Sequence, residues 1–217
     1  MITATPGARI TPAPGASLGD WRQPWREAVT EASELLALLG LSPLAAQLPP
    51  ADAGFALRVP RGFVARMRRG DPRDPLLLQV LPQLAELDEA PGFATDAVGD
   101  LAARGAQGVL HKYHGRALLI ASGSCAINCR YCFRRHFPYG EEMAAAGQWR
   151  RALEHLRNDP SISELILSGG DPLALSTPKL EELSRGLTDL PHVARLRIHS
   201  RLPVVLPSAS TRPSRPG

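Results

Sequence analysis

Arg116-Ala-Leu-Leu-Ile-Ala-Ser-Gly-Ser-Cys-Ala-Ile-Asn-Cys-Arg-Tyr-Cys, residues 116–132, joins a short apolar run to a loop holding every cysteine of this 217-residue chain: Cys125, Cys129 and Cys132. The run over 116–122 predicts a buried strand, so the loop sits at a strand's carboxyl end. Three thiols at C-x3-C-x2-C spacing cannot make a disulfide framework, because one is always left over. Clustered soft thiolates instead favour zinc or iron–sulfur chemistry. A [4Fe–4S] cluster held by three cysteines keeps one iron open for a non-protein ligand, which makes the loop a catalytic candidate.

Downstream the texture alternates. Trp149–Asn158 has helical spacing in Leu153, His155 and Leu156 and stops at Pro160. Glu164-Leu-Ile-Leu-Ser is a second buried strand, ending at Gly169-Gly170-Asp171-Pro172. Pro178–Leu190 is a helix with proline in its first turn, and Arg195-Leu-Arg-Ile-His-Ser is a third strand. Strand–helix–strand–helix–strand implies right-handed crossovers and a parallel sheet, hence an α/β fold. Active sites of such folds gather at the carboxyl ends of the strands, where the cysteine loop lies.

Upstream, Asp20 is a plausible N-cap, and Trp25, Ala28, Val29, Ala32, Leu35, Leu36 and Leu39 recur at helical spacing up to Gly40. A second helix is expected over Arg61–Arg69, and a third from Asp74-Pro75 to Leu81 or Leu87. The expected organisation is a disordered lead-in (1–18), a helical region with a long connector (19–108), an incomplete barrel of about three βα units (109–207) and a low-complexity tail (208–217). Parallel strands with no further helix expose a sheet edge, so the chain reads as the N-terminal part of a longer barrel.

The pI near 9.3 does not mark a nucleic-acid surface. Arginine supplies 23 of the 25 cationic residues and is scattered, and only 5 % of residues are aromatic. No apolar run approaches a membrane span, and the N-terminus lacks a secretory core; cytoplasmic residence suits thiolates that must stay reduced. The lysines are Lys112 and Lys179, the candidates for any Schiff base.

The alternative to a cluster is a non-enzymatic zinc knob with Cys125, Cys129, Cys132 and His136 as Cys3His ligands. Zinc sites usually pair two short ligand hairpins, whereas these four ligands crowd twelve residues, and the balance favours the cluster. Gly169-Gly170-Asp171 reads by itself as a strand-to-helix turn with Asp171 as a cap, or as a turn whose backbone approaches a ligand.

C-x3-C-x2-C after a first strand, with Tyr131 between the second and third cysteines, resembles the cluster motif of radical S-adenosylmethionine (SAM) enzymes. His111-Lys-Tyr-His-Gly-Arg-Ala-Leu-Leu, Asn128-Cys-Arg-Tyr-Cys-Phe-Arg-Arg-His-Phe-Pro-Tyr, Leu167-Ser-Gly-Gly-Asp-Pro-Leu and Leu196-Arg-Ile-His-Ser-Arg-Leu-Pro-Val-Val resemble the lysine 2,3-aminomutase group. Within it the chain looks like the bacterial branch that makes β-lysine for elongation factor P. Phe55-Ala-Leu-Arg-Val-Pro-Arg and Ala90-Pro-Gly-Phe-Ala-Thr-Asp carry the same likeness, which runs from about Trp21 to Pro207.

The resemblance implies a partial radical SAM barrel with Cys125, Cys129 and Cys132 on a [4Fe–4S] cluster, whose open iron is chelated by SAM. An external electron donor reduces the cluster, and SAM is cleaved to methionine and a 5′-deoxyadenosyl radical. Gly169, Gly170 and Asp171 match the SAM-contacting turn. Lys112, Tyr113 and Arg116 match positions around pyridoxal phosphate (PLP), and Arg134 matches the arginine that grips the substrate lysine's carboxylate. Arg130, Arg135, His136 and Arg201 line the expected site without an assigned role. Neither Lys112 nor Lys179 matches the PLP Schiff-base lysine, which the family carries downstream, as it does the acidic residues that choose the substrate. The expected activity is conversion of L-lysine to β-lysine, with this chain alone inactive, and an aminomutase for another amino acid as the alternative.

Overall fold

The computed structural model describes residues 22–50, 54–144 and 149–210. The expected lead-in, the Asp20 cap and residues 211–217 of the expected tail lie outside them. In chain order the elements are α1 (Arg22–Arg26), α2 (Ala32–Leu38), α3 (Arg61–Val64), β1 (Val109–Tyr113), β2 (Arg116–Ser122), α4 (Arg150–Asn158), β3 (Glu164–Gly169), α5 (Thr177–Thr188), β4 (Arg195–Ile198) and α6 (Leu202–Val205), with short 3-10 turns between.

The four strands form one sheet in the order β1-β2-β3-β4. β2, β3 and β4 run parallel, with Ala117 opposite Leu165, Leu119 opposite Leu167, and Leu167 opposite Ile198. Because side chains alternate across a strand, Ala117, Leu119, Ala121, Leu165 and Leu167 share one face. That face packs under α4 and α5 through Trp149, Leu156 and Leu183. Each fully buried leucine there stabilises the fold by roughly 1.5–3 kcal/mol. The opposite face carries Leu118, Ile166 and Ser168.

The sheet departs from the expected all-parallel form at β1, which pairs antiparallel with β2 through Val109–Leu119 and Tyr113–Arg116. His114-Gly115 makes the two-residue turn, and Gly115 takes φ 74° at its second position, a left-handed conformation that glycine adopts without strain. Lys112 and Tyr113 therefore stand on a strand of the sheet. At the other edge β4 is exposed throughout, with Leu196 46 % and Ile198 49 % accessible, as the sequence predicts for a sheet edge.

A second core gathers the N-terminal elements. Leu35, Leu36, Leu39, Val59, Phe63, Leu77 and Val80 pack with Ala126 and Ile127 of the cysteine loop and with Leu202, Val205 and Leu206 after β4. The helices expected here are shorter than the periodicity suggests. The run from Trp25 to Leu39 is broken where Val29 exchanges both backbone hydrogen bonds with Val59 at 2.9 Å, and Glu31 is extended. The helix expected over Arg61–Arg69 ends at Val64, and residues 74–81 form turns. Pro207–Ser210 continues as a 3-10 turn, so the first residues of the expected tail are ordered against the same core.

Candidate functional site

The cysteine loop leaves the carboxyl end of β2 and is held by the N-terminal layer. Asn128 donates its backbone N–H to the Arg58 carbonyl at 3.0 Å and its side-chain amide N–H to the Ala56 carbonyl at 2.9 Å. Arg130 donates its backbone N–H to the Gln79 carbonyl at 2.8 Å and a guanidinium N–H to the Phe55 carbonyl at 2.6 Å. Glu86 then ties Arg130 (Nε to Oε1 2.9 Å, and Nη2 to Oε2) to Arg135 (Nη2 to Oε2 2.7 Å). Burial pushes the Glu86 carboxyl up, but hydrogen bonds from Arg130 and Arg135 outweigh it and hold the group below the usual glutamate range.

The Gly169–Asp171 turn presses on the other side of the loop. Gly170 donates to the Ser122 carbonyl at 2.6 Å and Asp171 to the Ser124 carbonyl at 2.8 Å. A Cβ on Gly170 would lie 2.6 Å from the Ser124 oxygen, and Gly169 takes φ 103° with its Cβ position 2.8 Å from the Ser122 oxygen. These two glycines are needed for backbone-to-backbone approach to the cysteine loop, whatever else the turn meets. The Asp171 carboxylate accepts from Leu173 N at 3.0 Å, Ser200 Oγ at 2.7 Å, Arg201 N at 2.8 Å and Leu202 N at 2.8 Å. It fixes the start of α6 as well as capping its own turn.

Loop, turn and α6 enclose a cavity of about 570 Å³ lined by Cys125, Cys129, Cys132, Gly169, Gly170 and Asp171, with His199 and Arg201. All three cysteines are free and half-buried. Burial, and then the negative charge of Asp171, Cys132 and Cys129, pushes the Cys125 thiol up to about 12. A bound cationic centre would relieve that penalty at Cys125, and three soft thiols lining one cavity fit an iron–sulfur cluster. Among the described residues no three His, Cys, Asp or Glu side chains converge as a single ion requires, which holds for the three cysteines with or without His136. His136 instead lines a cleft of about 860 Å³ with Cys132, Phe133, Arg135 and the 86–97 segment.

A second cavity, about 240 Å³, lies on the sheet face away from α4 and α5. Its walls bring together Lys112, Tyr113, Arg116 and Arg134, over Leu110, Leu118 and Ile166. Arg134 and Phe133 belong to the walls of both cavities. The residue the sequence reading missed is Asp100, 2 % exposed. It accepts from Arg134 Nε at 2.6 Å and pairs with Lys112 Nζ at 2.5 Å. Arg134 Nη1 donates to Ser168 Oγ at 3.2 Å. Arg116 turns to the Glu164 carboxylate at 3.1 Å, and Tyr113 stays exposed. Asp100 stands in an Asp- and Ala-rich connector, and only its burial between two cations distinguishes it.

A family model described as a 4Fe-4S single cluster domain matches residues 114–190, which include all three cysteines and the Gly169–Asp171 turn. The chain is 48 % identical over 194 residues to an L-lysine 2,3-aminomutase of Escherichia coli K12, covering 88 % of this chain and 56 % of that protein. It is 46 % identical over 157 residues to the protein of that name from Haemophilus influenzae, covering 72 % and 46 %. With that of Buchnera aphidicola it shares 40 % over 194 residues, covering 88 % and 57 %. The chain belongs to the lysine 2,3-aminomutase family. It spans about half the length of the curated relatives it matches. For this aminomutase-family chain the structure supplies a mixed α/β domain with a four-stranded sheet, and among its described residues no helix is long and apolar enough to cross a membrane.

Proposed function

We propose that this chain is the radical-generating part of a lysine 2,3-aminomutase, an isomerase moving the amino group of L-lysine from the α- to the β-carbon. The observation that carries the reading is the meeting of the cysteine loop, the Gly169–Asp171 turn and the Arg201 segment around one cavity, with a basic cavity sharing the Arg134 wall. Cys125, Cys129 and Cys132 would hold a [4Fe–4S] cluster, which supplies the electron for cleaving SAM, and Gly169, Gly170 and Asp171 would form the SAM side of that cavity. The sheet and its cysteine loop support a partial radical SAM barrel, with 19–108 as the layer that clamps the loop and 109–207 as the barrel part.

Lys112, Tyr113 and Arg116 would border PLP, which when bound supplies stabilisation of the substrate radical. A flat aromatic, two cations and an apolar floor suit a phosphorylated ring. Arg134 presents a planar fork suited to the carboxylate of lysine, and Ser168 and Asp100 hold two of its nitrogens. The Arg134 guanidinium carbon lies over the Phe133 ring, 4.7 Å from its centroid, a cation–π contact that helps hold the fork. The product would be β-lysine for elongation factor P, with an external electron donor and a reducing cytoplasm as its setting.

Neither lysine of the chain offers a free amine in the basic cavity: Lys112 pairs with Asp100, and Lys179 lies on α5, across the sheet from it. The 217 residues by themselves are therefore expected to make no β-lysine. Anaerobic reconstitution with iron and sulfide tests the reading. About four irons and four sulfides per chain, with reductive cleavage of SAM, are the expected outcome. One zinc and no labile sulfide would sink it.

A further inference from the structure

Arg201 has no task in the sequence motifs, yet it is fixed in place. Its backbone N–H donates to Asp171 Oδ2 at 2.8 Å, beside the same bond from Leu202, so the end of β4 is tied to the Gly169–Asp171 turn. From that anchor the guanidinium reaches across the cysteine cavity. Nη1 lies 2.5 Å from Cys129 Sγ and 2.6 Å from the Tyr131 hydroxyl, and Nη2 donates to Gln79 Oε1 at 2.9 Å. The guanidinium carbon stands 5.6 Å from the Tyr131 ring centroid. Gln79 also accepts the backbone N–H of Arg130 through its carbonyl at 2.8 Å, so the fork rests on the same segment that holds the loop. Residues 72 positions apart are thus joined at one sulfur.

We propose that Arg201 is a positioning residue for the cluster: it donates an N–H to the Cys129 sulfur and its fixed charge raises the cluster's reduction potential. This rests on the cluster reading of the three cysteines given above. Reduction adds one electron and one negative charge to the cluster, with no proton transferred and no bond made or broken. A cation beside a ligating sulfur stabilises the more negative state more than the less negative one. Hydrogen bonds to the sulfurs and local charge are among the terms that set such potentials. An arginine suits the task because it stays protonated and its fork can satisfy sulfur, phenol and amide together.

The test is a potentiometric titration of the reconstituted chain with dithionite, followed by electron paramagnetic resonance, for the parent, Arg201→Leu and Arg201→Lys. With iron content near the parent's, Arg201→Leu is expected to shift the reduced-to-oxidised ratio at fixed potential tenfold or more toward oxidised. That is a midpoint about 59 mV lower, or more, for a one-electron couple. Arg201→Lys, which keeps the charge, is expected to recover most of the shift. A full cluster with unchanged midpoint in Arg201→Leu overturns the proposal alone, whereas a parent chain that takes up no iron overturns the cluster reading and this proposal with it. If Arg201→Leu takes up no iron, Arg201→Gln and Arg201→Lys decide. Loading of Arg201→Lys but not Arg201→Gln supports the charge role. A loaded Arg201→Gln with the parent's midpoint, or failure of Arg201→Lys to load, overturns it.

Discussion

The two cavities flanking Arg134 are built on opposite plans. Around the cysteines, the surrounding polar groups are committed to holding the loop, and the thiols, bound in no disulfide, meet only the Arg201 donor at Cys129 among the described side-chain hydrogen bonds. In the basic cavity the candidate ligand groups are the committed ones: Lys112 and Arg134 to Asp100, Arg116 to Glu164. The first is preorganised for what it would hold. The second would have to exchange internal ion pairs for ligand contacts, and its affinity would reflect the difference between the two.

The sharpest way to break this contrast is at Glu86. Glu86→Gln removes the one carboxylate between Arg130 and Arg135, whose side chains are only 8 % and 15 % exposed. Leaving two mostly buried guanidiniums uncompensated is expected to cost about 3 kcal/mol, read by urea denaturation. Iron uptake should fall with it, because the Arg130 anchor to Phe55 and Gln79 would lose its brace. Unchanged stability and full iron loading would show that the loop is not held by this clamp.

A smaller effect is expected at Asp100, and it has the opposite sign for binding. Asp100→Asn keeps the shape and removes the charge that occupies Lys112 and Arg134, at a stability cost of about 2 kcal/mol. PLP titrated into the chain and followed by its absorbance should then bind about tenfold tighter, close to 1.4 kcal/mol, because no internal carboxylate competes. Weaker binding in Asp100→Asn would mean that Asp100 orients the cavity rather than blocking it, and the contrast between the two plans would fail.

The same division runs through what the sequence made legible. β2, β3, α4 and α5 are readable because their signals are local: apolar runs of strand length, helical spacing, and a proline or glycine at each boundary. The cysteine loop is readable because thiol spacing is itself local. The N-terminal layer is not, because the Val29–Val59 bridge overrides a helical pattern from outside the segment. β1 was legible in principle, since Val109-Leu110 and the His114-Gly115 turn are a hairpin signal, but two apolar residues are weak evidence of a strand. Asp100 was beyond reach, and Arg201 could be placed in the expected site but given no role. Their importance lies in partners 34 and 72 residues away, and neither spacing nor composition records such contacts.

The smallest expected effect separates two carboxylates that share a depressed pKa. For Glu164, burial raises the carboxyl, but Arg195, Arg116 and Arg197 outweigh it, as Arg130 and Arg135 do for Glu86. A folded-state pKa below the unfolded value contributes stability that is present above the ordinary glutamate value of 4.5 and lost as pH falls through the lowered folded value. Both groups therefore steepen the loss of stability in acid, and at neutral pH their contribution is fully present and does not change with pH. Their weights differ. The arginines on Glu164 are about half exposed, from 46 % to 63 %, so solvent screens that cluster, whereas those on Glu86 are mostly buried. Denaturation midpoints from pH 7 to pH 3 should show a flatter acid limb for Glu86→Gln than for the parent. For Glu164→Gln the acid limb should change less than it does for Glu86→Gln. Equal flattening by the two substitutions would mean that the clamp on the cysteine loop is no more protected from water than the open end of the sheet.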